Sequence, residues 1–440
     1  MSMITRRESI LSTLFGAGMV GLRSLATGLP VSLLLDPRRA LAGGAVPAAC
    51  PSADRAQFIV FATSGSGDPV NANVPGTYED AGIVHSADPA MAPTALTLSG
   101  QAHQAAAPWA TLPQAVLDRS TFWHLMTNTP VHPKEPDVLK LMGSTAAGEM
   151  LPSLLARQLA PCLGTIQAQP IVLGATSPSE GLSYAGAALP IIPALALKAT
   201  LTNAAGPLTN LQPLRDQTMS RLYAIYKSGA TSAQRAYIDN LAASQSQVRS
   251  INQSLLDTLS SIKDNTAASQ ILAAITLIQM NVTPVISIHI PFGGDNHRDV
   301  GLATETAQTV SGVALIASLM QQLASAGLSD RVTFVSLNVF GRTIGPGNTD
   351  GRQHNPNHQV SIAIGKAFRG GVIGAVAPVG TDYGALAISS VDGTGAAGGD
   401  VPALETLGAF GKTLLSSVGA DPASTATLIT SGKVIPAALA

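Results

Sequence analysis

The side chains best suited to chemistry in this 440-residue chain gather in two polar loops. In one, Asp295-Asn296-His297 sets a carboxylate and an imidazole two positions apart. In the other, Gly351-Arg352-Gln353-His354-Asn355-Pro356-Asn357-His358 carries a guanidinium and two imidazoles. Carboxylate oxygens and imidazole nitrogens are the ligands that hold zinc-like divalent ions. Asp295 and His297 lie close enough in sequence to turn into one cleft. His354 and His358, on either side of Pro356, face inward together if their loop folds back.

Both loops are fed by strands. Val332–Asn338 (VTFVSLN) has apolar residues in both alternating sets, the pattern of a strand buried on two faces. It leaves the sheet through Phe340-Gly341-Arg342-Thr343 and a Gly/Asn-rich turn. The segment 284–290 (PVISIHI) does the same and runs into Pro291-Phe292-Gly293-Gly294 before Asp295. Two buried strands that end in such loops place a site at the carboxyl edge of a parallel sheet, where open α/β sheets put their chemistry. A third apolar strand, 57–62 (QFIVFA), runs into Thr63-Ser64-Gly65-Ser66-Gly67-Asp68. No Gly-Lys-Ser/Thr follows, so this is not a P-loop, and an ordinary loop is the better expectation than an anion nest. Further strands are expected at 120–125, 170–174 and 358–364, and helices over 137–159 (broken near Gly143 and Pro152), 304–326 and 401–418. The segment 211–280 is low in Gly and Pro, with apolar residues at helical spacing, which predicts a helical hairpin or small bundle. Strand, helix and strand in alternation predict an α/β fold, a mostly parallel sheet flanked by helices. His124 and His132 stand among scattered prolines and are read as hydrogen-bonded structural residues.

Composition agrees with a large folded domain: 46% hydrophobic, 12% charged, 42 Gly and 29 Pro. A formal charge of −1 excludes a basic footprint for nucleic acid. Residues 1–42 read as a targeting segment. Thr5-Arg6-Arg7-Glu8-Ser9-Ile10-Leu11 is a twin-arginine signal, an apolar run follows to about Leu35, and Ala40-Leu41-Ala42 supplies the cleavage pattern. Cleavage after Ala42 leaves a single domain, 43–440, with 211–280 as a helical insertion and no stable membrane span. Export through the twin-arginine translocase puts it in the periplasm or outside the cell. The two cysteines, Cys50 and Cys162, can form a bridge in that oxidising compartment or remain free thiols.

Taken in order, Gly65-Ser66-Gly67-Asp68, Phe292-Gly293-Gly294-Asp295-Asn296-His297, Val339-Phe340-Gly341-Arg342-Thr343 and Gly351-Arg352-Gln353-His354-Asn355-Pro356 resemble the landmarks of a bacterial family. It is a twin-arginine-exported family known only as a domain of unknown function (number fifteen-oh-one), distantly similar to the alkaline phosphatase and sulfatase superfamily. The resemblance implies an alkaline-phosphatase-like fold and a metal site built from Asp68, Asp295, His297, His354 and His358. It also implies a hydroxyl nucleophile after the first strand: Ser66, with Ser64 and Thr63 as alternatives. Arg342 is then either a clamp for a phosphate or sulfate anion or a packing residue for its loop. Two acids of the family pattern are replaced, by Val339 and by Gln353. The remaining ligands suffice for one divalent ion, zinc first, and are few for two, unless Asp299, Asp350 or Asp382 contributes. Two functions follow. One is a partly degenerate site in a binding protein, associated with an envelope protein partner and holding one metal ion or none. The other is a metal-dependent hydrolase of phosphate or sulfate esters.

Overall fold

The computed structural model describes residues 57–165, 167–175, 181–202, 212–231, 234–235, 238–239, 242 and 253–440. Residues 1–42, expected to be a targeting segment, and Cys50 lie outside the described residues. Cys162 is disulfide-bonded.

Seven strands make the central sheet: β1 (Phe58–Ser64), β2 (Ser120–Leu125), β3 (Ile171–Val172), β4 (Val285–Ile288), β5 (Val332–Asn338), β6 (Gln359–Ile364) and β7 (Gly371–Ile373). Their spatial order is β7-β2-β6-β5-β1-β4-β3. β1 is an interior strand, parallel to β4 on one side and to β5 on the other, with Ile59 opposite both Val285 and Thr333. Every residue of β1 is buried. Its alternate side chains enter two different cores, Phe58, Val60 and Ala62 on one face and Ile59 and Phe61 on the other. This two-sided burial is what an unbroken apolar strand demands.

The first face is covered by α2 (Ala267–Gln279) and α3 (Ala303–Ser325), through Ile271, Ile275, Val313 and Ile316. The second is covered by α1 (Leu151–Leu163) and α4 (Thr406–Ser417), through Leu151, Leu155, Phe410 and Leu414. Helices on both faces of a mostly parallel sheet are as the alternation predicts. β6 is the exception: it runs antiparallel to both β2 and β5. Pro152 does not break a helix but stands in the first turn of α1, where its missing N–H costs nothing. The described parts of 211–280 are helical, and α2 among them is a core helix rather than an outlying arm. No helix among the described residues is long and apolar enough to cross a membrane.

Candidate metal centre

The reversed strand has a local consequence. β1, β2, β4 and β5 all end at one edge of the sheet, and β6 begins there, Gln359 standing opposite Leu125. Four loops therefore meet at that edge, those after β1, β2 and β4 and the one that joins β5 to β6. His132 comes from the loop after β2, Asp295 and His297 from the loop after β4, and His354 from the loop that leads into β6. Their ligand atoms lie within 4.8 Å of one another. The Nε2 atoms of His297, His132 and His354 stand 3.1, 3.5 and 3.6 Å from a single oxygen, Oδ1 of Asp295.

Backbone carbonyls settle which nitrogens are available. His132 Nδ1–H donates to the Gly65 carbonyl (2.7 Å) and His354 Nδ1–H to the Pro130 carbonyl (2.5 Å). In each ring the Nε2 lone pair is then free and aimed at the cluster. Imidazoles that bind metals are held by this kind of second hydrogen bond. Nε2 of His354 is buried and has no hydrogen-bond partner, as a nitrogen reserved for a cation would be. Phe340 backs the group, its ring stacked on His354 at 4.3 Å and edge-on to His132 at 4.9 Å. Gly67 must be glycine for this, since a Cβ there, at φ +64°, would overlap the Phe340 ring.

Arg342 lies behind Asp295 with its side chain wholly buried. Its Nη2 donates to Asp295 Oδ1 (2.7 Å) and to the Ser66 carbonyl (2.6 Å), and its Nε donates to the Gly67 carbonyl. These bonds tie the loop after β1 to Asp295. Burial, the largest influence on Asp295, raises its pKa. The Arg342 hydrogen bond and the charges of Arg342, His132 and His297 outweigh it, so the carboxyl is held below its ordinary range. His354 is also lowered, first by burial and then by the charges of Arg342, His132 and His297, against the pull of its Pro130 bond. An ionised Asp295 and a neutral His354 are states in which each can ligate a metal.

The expected ligands divide. Asp295, His297 and His354 come together. Asp68 does not join them: it is buried, and its Oδ1 accepts the Phe292 and Gly294 amides (3.3 and 2.8 Å), holding the loop that carries Asp295. With Thr63 and Ser64 it lines a separate cavity of about 20 Å³, the size of one water. Ser66 contributes its carbonyl to Arg342. His358 is buried and fully engaged. Its Nε2 is 2.9 Å from His124 Nδ1, and its Nδ1 is 3.2 Å from Asn71 Nδ2. Asn71 is oriented by the Arg342 backbone, whose N–H it accepts and whose carbonyl it bonds. His358 Nδ1 is therefore an acceptor, its Nε2–H donates to His124, and His124 Nε2–H donates to the Pro75 carbonyl. The acids considered as substitutes hold loops instead: Asp299 accepts the Thr304 and Glu305 amides at the start of α3, Asp350 that of Gly301, and Asp382 those of Ile344 and Gly345. Val339 is core and Gln353 is exposed.

His132 was read as structural and is a member of the cluster. The sequence did hold a signal. The buried strand Ser120–Leu125 runs into a Pro/Thr loop with a histidine, the same grammar as the segment that ends in Asp295 and His297.

Residues 207–392 match the profile of a family described as "Protein of unknown function (DUF1501)". The match covers Asp295, His297, Arg342 and His354, and supports the resemblance as far as a family of unknown function. No curated protein matches the chain.

Proposed function

We propose that this chain is an exported protein that binds one divalent metal ion, zinc first, through His132, Asp295, His297 and His354. The observation that carries this is the convergence of three imidazole nitrogens on one carboxylate oxygen. Four ligands at 2.0–2.1 Å around a tetrahedral ion stand about 3.3–3.4 Å apart. The separations from Asp295 Oδ1, 3.1 to 3.6 Å, bracket that edge. A second ion has no comparable set among the described residues. Four protein ligands complete a tetrahedron, which favours a binding or structural role over two-metal ester hydrolysis. A one-metal hydrolase of phosphate or sulfate esters is the second reading, favoured by the half-exposed Asp295 side chain, which leaves the centre open to solvent.

The superfamily kinship to alkaline phosphatases and sulfatases rests on the four motifs and on the α/β architecture. Export by the twin-arginine translocase, a periplasmic or secreted location, and an envelope partner rest on residues 5–42 alone.

The test is elemental analysis of the exported protein after dialysis against metal-free buffer. One equivalent of zinc in the wild type, lost in His132→Ala and in His297→Ala, supports the proposal. Absence of metal after addition of zinc, manganese and calcium in turn would sink it. Ester turnover by the loaded protein would select the hydrolase reading.

A further inference from the structure

Behind the cluster sits a buried polar group that none of the roles above uses. Glu305, in the first turn of α3, and Arg352 are both wholly buried and form a two-pronged pair, Nε to Oε2 at 2.7 Å and Nη2 to Oε1 at 3.1 Å. The carboxylate accepts two more hydrogen bonds, from Asn296 Nδ2 to Oε2 (3.0 Å) and from Asn73 Nδ2 to Oε1 (3.0 Å). Asn296 stands between Asp295 and His297, and Arg352 is two residues before His354. One carboxylate thus grips both metal-bearing loops from behind.

The two loops are also joined directly. The Arg352 amide donates to the Asn296 carbonyl (3.0 Å), and the Asp299 amide to the Asp350 carbonyl (3.1 Å). Gly351 has φ +126° and no room for a side chain, since a Cβ there would overlap the His297 carbonyl. The close approach of the loops therefore depends on glycine at this position. The remaining donors of Arg352 reach the Thr343 carbonyl (3.1 Å) and the Val84 carbonyl (2.9 Å), which anchors the clasp to the surrounding chain.

We infer that Glu305 is a positioning residue for the metal centre: through Asn296 and Arg352 it sets the spacing between the Asp295/His297 loop and the His354 loop, and so sets metal affinity and ligand geometry without touching the ion. The inference rests on the metal-binding reading above. Hydrogen-bonding partners behind metal ligands commonly carry a 10–100-fold effect on affinity.

Glu305→Gln leaves a buried arginine without its counter-charge and strongly destabilises the fold, so the decisive variants spare the ion pair. Asn296→Ala cuts only the link from Glu305 to the first loop, and Gly351→Ala forces the two loops apart. Zinc affinity is measured by competition with a chromophoric chelator. The cobalt(II)-substituted proteins are compared by their visible ligand-field bands, at a temperature where circular dichroism shows each variant folded. The expected result is affinity reduced 10–100-fold in both variants, with altered cobalt bands. Wild-type affinity and wild-type cobalt bands in both would overturn the clasp while leaving the metal centre standing. Failure of the wild type itself to bind zinc or cobalt would overturn the metal reading and this inference with it.

Discussion

Lowering the pH should destabilise the protein through a histidine pair that takes no part in metal binding. His124 and His358 are stacked with ring centroids 5.1 Å apart, and both side chains are buried. The hydrogen bonds around them fit two neutral rings: Asn71 donates to His358, His358 to His124, and His124 to the Pro75 carbonyl. A proton added to His358 Nδ1 would face the Asn71 amide, another donor. Burial, opposed by the Pro75 bond, lowers His124 from 6.5 to about 4. Burial and the neighbouring His124 push His358 well below 6.5. The unfolded chain therefore takes up protons near pH 6.5 that the native state refuses until about pH 4. Stability from this source is complete above pH 6.5, falls as the pH drops, and levels off below the folded value. At 1.36 kcal/mol for each pH unit, His124 alone removes about 3 kcal/mol across that window. His358 acts in the same direction and extends the loss to lower pH. The assay is urea unfolding of the metal-free protein at steps from pH 7.5 to 4, beside the double variant His124→Phe/His358→Leu. That variant is less stable at neutrality, because Asn71 and the Pro75 carbonyl lose partners, but its profile should be the flatter by about 3 kcal/mol or more. Parallel profiles for the two proteins would refute the reasoning.

Other perturbations have equally definite outcomes. Arg352→Met strands a buried carboxylate and should cost about 3–5 kcal/mol in urea unfolding, while Glu305→Leu/Arg352→Met recovers much of that stability yet still binds zinc weakly. Asp68→Asn should keep metal stoichiometry in elemental analysis, because Asp68 holds a loop and is not in the cluster; loss of the ion would place it there. Val339→Glu restores an acid of the family pattern but puts it in the apolar core. It should lower the melting temperature without raising the metal content above that of the wild type.

Much of the fold could be read from the alternation of apolar residues, because strands buried on both faces leave few alternatives. β1, β4 and β5 were legible for that reason, and so was the site at their carboxyl edge. The direction of β6 was not: HQVSIAI has the same pattern whichever way it runs, and only its pairing with β2 and β5 makes it antiparallel. That reversal also hid His132, since β2 joins the site only across β6. The hairpin Pro93–Leu98/Gln101–Ala106 escaped as well. Its strands are half exposed and rich in Ala and Gln, and only the Ser99-Gly100 turn marks it. Among the ligands, Asp295, His297 and His354 were found by residue type and position. His358 and Asp68 share those features, and what removes them from the cluster is the prior claim of Asn71, His124 and two backbone amides on their polar atoms. Arg352 looked like a loop residue because its partner, Glu305, is carried by a helix remote in sequence.

The reversal of β6 has one more consequence, for how this protein can vary. Because β5 and β6 are antiparallel neighbours, the chain between them leaves and returns at the same edge, and Arg342 pairs with His354 across the neck of the excursion. Beyond that neck the tip turns through exposed Pro346 and Gly347. Gly347, where an added Cβ would meet nothing within 4 Å, stands apart from Gly351 and Arg352, which hold the ligand loops together. Doubling the length of such a loop costs only about 0.6 kcal/mol in closure entropy. Residues can therefore be added at Gly347, including a tag, while Arg342, Asp295 and His354 keep their places, so that the tip can change independently of the His/Asp cluster.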